Sequence, residues 1–366
     1  MGFQRRGRFA RQFPDEQDLF LGNCRWNGNA VERMGAWHRR ANDIPEERRA
    51  DRELPLIPRA SANLTPIALI GPTAVGKSQC ALQIAERLAG SIVSIDSRCV
   101  YRYLDIGTAK PSPRTRERIP HYLIDCVDPD QDYSVANFLQ DAAAAIKESQ
   151  AKGRRPILVG GTGFWLRALL GGDTSASIPP NGPLRVELEG LLAREGVDAV
   201  AKRLDEIDIN AGQAIDRQNP RRLIRAIEVI VATGRPYIEA KQSSGQSYTA
   251  RLFGLTLPRE ELDQRIAERY RAMARDGWLE EVKSLLARGY DAKLPSMTSL
   301  GYAELIRHVR GELSIDDALE LATTRCRHYA RSQYRWFRLN DPAIQWFNTA
   351  ENVGDEIVAR VEHYAD

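Results

Sequence analysis

The segment Gly71-Pro72-Thr73-Ala74-Val75-Gly76-Lys77-Ser78 has the spacing G-x-x-x-x-G-K-[ST], and nothing else in the chain limits its fold as much. It follows a short apolar run, Ile67–Ile70, and leads into a helical pattern with Ala81, Leu82, Ile84, Ala85 and Leu88. Strand, glycine-rich turn and helix, in that order, is the context in which such a turn binds phosphate. The glycines let backbone N–H groups point inward at anionic oxygens, and the helix presents its positive end to the same charge. Lys77 would hold the terminal phosphate and Ser78 would ligate Mg²⁺. The spacing specifies a di- or triphosphate without choosing between them.

The runs that follow extend the pattern. Ile92–Ile95 and Tyr122–Ile124 read as strands, Val135–Ala151 as an Ala-rich helix, and Pro156–Val159 as a strand running into Gly160-Gly161-Thr162-Gly163. Short strands alternating with helices predict an α/β fold, here a P-loop NTPase-like parallel sheet with flanking helices and ligands at the strands' C-terminal ends. Strand signals vanish after Gly171. Ile178-Pro179-Pro180 breaks the chain, and amphipathic patterns over Leu184–Arg194, Val197–Leu204 and Pro220–Thr233 predict an inserted all-helical subdomain. Leu252–Leu257 returns to strand, and helices are predicted over Arg259–Asp276, Leu279–Arg288, Thr298–Val309 and Ile315–Leu339. The expected division is a disordered extension over 1–62, a catalytic core made of 63–177 with 252–366, and the helical insertion over 178–251.

Composition closes off other classes. No apolar run approaches the about 18 residues of a membrane helix. Lysine and arginine total 52 against 49 acids among 366 residues, and residues 1–62, with twelve arginines and nine acids, hold the whole excess. Net charge therefore gives no argument for a nucleic-acid partner; only local clusters can. The extension lacks the apolar stretch of a secretory signal. Cys24, Cys80, Cys99, Cys126 and Cys326 show no metal-ligand spacing, which fits reduced thiols in a cytoplasmic protein. A monomer is expected.

Several residues beside the loop could carry chemistry. Asp96 closes the second strand, and three readings stay open: a magnesium-holding carboxylate, a proton acceptor beside the diphosphate, or a cap on the next turn. Gly160-Gly161-Thr162-Gly163 ends another strand at the same edge, with backbone open to a ligand and the Thr162 hydroxyl beside it. Arg217, Arg221, Arg222 and Arg225 cluster at a helix start. Arg327, Arg331, Arg335 and Arg338 step along one predicted helical face among Tyr329, Tyr334, Trp336 and Phe337, which suits either an anionic partner or a solvated face over an aromatic core. Arg265 and Arg269 could reach the phosphates or pair with Glu261 and Glu268. His121 and His328 are assigned no role.

Together these residues resemble the tRNA dimethylallyltransferase (tRNA isopentenyltransferase) family, of bacterial type since no zinc finger follows before Asp366. The resemblance rests on the phosphate loop, Asp96-Ser97-Arg98…Val100-Tyr101, Asp105-Ile106-Gly107-Thr108-Ala109-Lys110-Pro111 and Pro120–Asp125. It continues through Val159–Gly163, Asn219–Ala226, Leu300-Gly301-Tyr302 and Arg327–Gln333, in order from Thr65 to Phe347.

That resemblance implies transfer of a dimethylallyl group from dimethylallyl diphosphate to N6 of adenosine-37, in the anticodon stem-loop of tRNAs reading codons that begin with U. It implies that Gly71 to Ser78 hold the donor's diphosphate with Mg²⁺, and Arg265, from its place on the helix after the returning strand, is expected to join them. Asp96 would be the base on N6 and Thr162 would stand near the reacting adenine. Asp96, Ser97, Arg98 and Cys99, then Arg221, Arg222, Leu223, Ile224 and Arg225, would contact tRNA, and the basic face adds Arg331 as a further expected contact. Two departures matter. Many members have glutamine where Cys99 stands, and a thiol is a weak hydrogen-bonding group; Phe164-Trp165-Leu166 is bulkier than a common Leu-Tyr-Leu and would narrow the prenyl channel. The rivals are a small-molecule kinase with ATP on the loop, an adenylate prenyltransferase, and a non-enzymatic RNA-binding nucleotide switch.

Overall fold

A computed structural model describes residues 64–171, 174–242, 248–349 and 353–363. The extension over 1–62, with Cys24, lies outside the described residues. Three wholly buried four-residue runs, β1 (Ile67–Ile70), β2 (Ser91–Ser94) and β4 (Pro156–Val159), form the centre of the sheet. Burial at every position suits parallel strands covered on both faces, and in β2 it includes Ser91 and Ser94. Around them lie β3 (His121–Tyr122), β5 (Arg251–Thr256) and β6 (Ile344–Asn348), giving one parallel sheet of order β3-β2-β4-β1-β5-β6.

The first crossover helix, α1 (Lys77–Arg87), joins β1 to β2. α2 (Pro113–Arg118) precedes β3, and α3 (Val135–Ala151) starts at a capping box in which Ser134 and Asn137 satisfy each other's backbone N–H groups. α4 (Gly163–Leu169) follows β4. After β5 come α10 (Arg259–Arg275), α11 (Trp278–Ala287), α12 (Tyr302–Val309), α13 (Ile315–Gln333) and, beyond β6, α14 (Val353–His363).

Some boundaries differ from the sequence expectation, each for a local reason. β3 stops at Tyr122 because Leu123 and Asp125 take left-handed φ of 63° and 57°. α12 begins at Tyr302, not Thr298, since Ser296 and Ser299 close tight turns before it. α13 ends at Gln333, not Leu339: the N–H groups of Trp336 and Phe337 both turn back onto the Gln333 carbonyl. Arg335 and Arg338 therefore leave the helix, and the predicted four-arginine face is corrected to Arg327 and Arg331 alone. β6 and α14 were not anticipated; β6 buries only Ile344 and Phe347, too sparse a pattern to read as a strand.

Between β4 and β5, a 3₁₀ turn at Thr174–Ser177 leads into α5 (Gly182–Glu195), α6 (Val197–Ile207), α7 (Ile209–Ala214), α8 (Pro220–Thr233) and α9 (Tyr237–Gln242). These helices enclose their own core around Leu188, Val200, Leu204, Leu223 and Ile227, separate from the core around the sheet. The Glu228 carboxylate lies at the insertion's base. It pairs with Arg185 at 2.6 Å and Arg225 at 3.3 Å and accepts the Asn181 N–H, while Arg225 also donates to the Ser175 carbonyl at 2.7 Å. Glu228→Ala removes the carboxylate shared by buried Arg185 and half-buried Arg225, and breaking a buried pair of this kind costs about 3–5 kcal/mol. Hydrogen exchange on this variant is expected to show lost protection across α5 to α8 with the sheet amides unchanged; uniform protection would overturn it.

The Asp105–Pro111 segment proves to be a fastening. The buried Lys110 ammonium bonds Asp125 at 2.6 Å, Asp105 at 2.8 Å and the Tyr101 carbonyl. Glu281 of α11 accepts the N–H groups of Asp105 and Ile106 and the Tyr302 hydroxyl. A Cβ on Gly107 or on Gly301, whose φ is +85°, would overlap the Trp278 ring between them. The loop leaving β2 is thereby held rigidly against α11 and α12.

Candidate active site

Strand order alone assembles the site. β4 lies between β2 and β1, with Val159 level with Ser94 on one side and Leu69 on the other. The phosphate loop, Asp96 and Thr162 thus leave three adjacent strands at the same C-terminal edge, where parallel sheets bind ligands.

In the phosphate loop, Gly71 has φ +137° and lies against the Leu255 carbonyl, so no side chain fits. Lys77 is buried, and its ammonium donates to the carbonyls of Gly71 (2.8 Å) and Pro72 (2.7 Å). Burial, then the nearby Arg269, push its pKa down to about 7. Ser78 is exposed in the first turn of α1. Thr73 is drawn toward α10 by Arg269, whose guanidinium is 3.4 Å from its hydroxyl.

Across the edge, Asp96 is half-buried and one carboxylate oxygen accepts the Arg98 N–H at 2.8 Å. The Thr162 hydroxyl accepts the Ser97 N–H at 3.2 Å, and the Thr162 N–H donates to the Ile95 carbonyl. The two strand ends are therefore tied together. Arg98 reaches away from this pair to the Pro295 carbonyl at 2.6 Å. A cavity of about 620 Å³ runs from Thr73, Asp96 and Thr162 to Arg221, Arg222 and Arg225 of the insertion.

Not every expected residue faces that space. Arg265 is exposed and does not line the cavity, whereas Arg269, one helical turn on, meets the phosphate loop; the expectation for Arg265 is corrected to Arg269. Leu223 and Ile224 are buried in the insertion's core, so of the Arg221–Arg225 segment only the three arginines reach the cavity. Cys99 is buried with its thiol toward the Thr108 carbonyl, and burial raises its pKa, so it presents no polar group to the cavity. Arg331 pairs with Asp263 of α10 at 2.7 Å, and Arg327 donates to the Asp263 carbonyl. Trp165 stacks on Phe138 with ring centres 4.4 Å apart and, with Phe164, walls the cavity. Gln333 and Tyr329 also line it, and sequence reasoning gave neither a role.

The fold and site define a phosphate-binding α/β protein whose cleft continues into a basic helical arm. The IPP transferase family model matches residues 99–340, and the chain belongs to that family. It is 41% identical over 285 residues to a tRNA dimethylallyltransferase of Thermomicrobium roseum, covering 78% of this chain and 86% of that one. A tRNA dimethylallyltransferase of Roseiflexus sp. is 45% identical over 272 residues, 74% and 89% of the two chains. Among solved structures, the tRNA isopentenylpyrophosphate transferase of Bacillus halodurans superposes with TM-score 0.60 at 35% identity, over 83% of this chain and 96% of that one. A eukaryotic dimethylallyltransferase acting on tRNA, at 24% identity, shares the fold with TM-score 0.72 over 83% and 80% of the chains.

Proposed function

We propose that this chain transfers the dimethylallyl group of dimethylallyl diphosphate to N6 of adenosine-37 in tRNAs that read codons beginning with U. One observation carries the reading: a phosphate loop, a carboxylate and a hydroxyl, at the ends of three neighbouring strands, open on one cavity that ends among arginines.

The donor's C1–O bond breaks, the N6–C1 bond forms, and the N6 proton passes to Asp96. Diphosphate leaves with its electron pair. Loop N–H groups and Lys77 offset the charge that develops on it, the kind of preorganised stabilisation that dominates many rates. Asp96 suits the base role because the Arg98 N–H holds one of its oxygens and leaves the other for the amine. Thr162, tied to Ser97, orients the adenine beside it. Among the described residues no cluster of three or more His, Cys, Asp or Glu could hold a metal. Ser78, exposed in the first turn of α1, would hold Mg²⁺ together with the diphosphate, and the ion would supply charge neutralisation to the leaving group.

An adenine inside a stem-loop must be unstacked to reach Asp96, at a cost of a few kcal/mol. Contacts from Arg221 and Arg222 to the anticodon stem-loop's phosphates would offset that cost and position the RNA without reading its sequence. Arg222→Ala is expected to weaken binding of unmodified tRNA and reduce the slope of log affinity against log salt by about one. Titration at several salt concentrations measures it, and an unchanged slope would remove Arg222 from the interface. Among the described residues no helix is long and apolar enough to cross a membrane, and we place the reaction in the cytoplasm, carried out by a monomer.

The test is incubation with labelled dimethylallyl diphosphate, Mg²⁺ and unmodified tRNA, followed by nucleoside analysis, with parallel reactions that offer adenylate or ATP in place of tRNA. Label on adenosine-37 is expected. Label on free adenylate, or ATP consumption without RNA, would overturn the reading in favour of an adenylate prenyltransferase or a kinase.

A further inference from the structure

Gln333, the last residue of α13, is 2% exposed and contacts both halves of the site. Its Oε1 accepts the Thr73 N–H of the phosphate loop at 2.8 Å. Its Nε2 donates to the Gly161 carbonyl, beside Thr162, also at 2.8 Å. The orientation of the carboxamide is fixed by its partners, since an N–H can only donate and a carbonyl can only accept. Both bonds are satisfied at once, so the side chain acts as a strut of fixed length. Its base is held too: Arg331, two residues earlier, is paired with Asp263 of α10. Gly161 is open for this purpose, because a Cβ there would overlap Nε2. Gly161 has no left-handed φ, so it is the approach of Gln333 that excludes a side chain.

We propose that Gln333 is a positioning residue, which sets the spacing between the loop that holds the diphosphate and the loop that holds the adenine. This rests on the transfer reaction proposed above. The N6 nucleophile and C1 of the donor must meet within van der Waals contact along the line of the breaking bond. Thr73 belongs to the donor side and Thr162 to the acceptor side. A shift of about 1 Å between them is enough to cost about 10²-fold in rate. The strut affects the reaction step more than either binding step, because the bulk of the tRNA and the rest of the phosphate loop bind elsewhere.

The experiment compares Gln333→Ala, Gln333→Met, Gly161→Ala and the Gln333→Ala/Gly161→Ala pair in single-turnover transfer to unmodified tRNA. Binding of tRNA and of Mg²⁺-dimethylallyl diphosphate is measured alongside. The methionine variant fills the same volume without either hydrogen bond. The expected result is a transfer rate lower by about 10²-fold in both Gln333 variants, with binding of each substrate changed only a few-fold. Gly161→Ala should be slow alone and add little in the Gln333→Ala background, where the clash is gone. A Gln333→Met rate near wild type would reduce the residue to a packing role and overturn the proposal. Additive effects of the two substitutions, or a loss confined to substrate binding, would also overturn it. Wild-type enzyme that transfers nothing to tRNA would instead sink the underlying reaction; should Gln333→Ala fail to fold, the methionine variant decides.

Discussion

Asp96→Asn is expected to lower the single-turnover rate of prenyl transfer by about 10²-fold or more, the usual contribution of a positioned general base. Binding of dimethylallyl diphosphate should stay close to wild type. The reason lies in the carboxylate's surroundings. Its first oxygen is occupied by the Arg98 N–H at 2.8 Å, a bond that an asparagine carbonyl makes equally well. The turn after β2 therefore keeps its shape, and so does the Ser97 N–H bond to Thr162. What the amide loses is the capacity to take a proton from N6. Asp96 also lies close enough to Lys77 to favour its charged form, yet burial and Arg269 weigh more there. A near-normal rate in Asp96→Asn would mean that N6 loses its proton to water, and the residue would become a turn cap. Quenched-flow transfer with donor in excess separates the two.

Much of this site was legible in the sequence because its parts obey local rules. β1 and β4 read as short apolar runs since both faces are covered, and β2 is apolar only at Ile92 and Val93 within its buried length; the segments after them carry a glycine, an aspartate and a glycine-threonine. Placing those ends side by side needed only parallel connectivity. α3 and α8 begin at Val135 and Pro220 as the sequence pattern predicts, and Ser134 and Asn219 cap them. What escaped was whatever depends on distant partners. Helical periodicity puts Arg265 and Arg269 on one face but cannot say which turn of α10 lies beside Thr73. The Arg221–Arg225 segment looked like a single contact stretch, although Leu223 and Ile224 on its other face close the insertion's core. Nor does a local pattern show that Arg331 pairs with Asp263, 68 positions away. Gln333 bonds residues 260 and 172 positions earlier in the chain, and no local pattern marks such a glutamine.

The Asp105–Pro111 segment teaches the same lesson in reverse. In the sequence it is only a motif that carries the family resemblance, and its side chains mostly hold a loop. Lys110 is spent on Asp105 and Asp125, and Gly107 exists to let Trp278 pass. Rigidity here still serves the reaction, because the anchored loop is the one that carries Asp96, Ser97 and Arg98 out of β2. A base misplaced by a mobile loop loses most of its value.

Lys77 is expected to make donor binding depend on pH near neutrality, where an ordinary lysine stays fully charged and has no effect. Burial and the Arg269 guanidinium lower its pKa to about 7, so the free protein is half-protonated there. A bound diphosphate favours the ammonium and raises that pKa again. Binding therefore draws in a proton once the pH exceeds about 7. The affinity for Mg²⁺-dimethylallyl diphosphate should be highest on the acid side of this point and fall by about tenfold per pH unit above it. Measurements above pH 7 keep the donor's own phosphate ionisation, with a second pKa near 6, from intruding. Calorimetry in two buffers of different ionisation enthalpy, without tRNA, counts the proton directly. Lys77→Met should abolish both the slope and the proton uptake and weaken binding or turnover by about 10²–10³-fold, as losing one strong charge-stabilising donor does. Arg269→Gln should move the break in the profile upward, because the remaining burial alone depresses the lysine less. A flat affinity from pH 7 to about 9 with no proton taken up would place a permanently charged Lys77 at the leaving group. The repulsion between Arg269 and Lys77 would then have no bearing on donor capture.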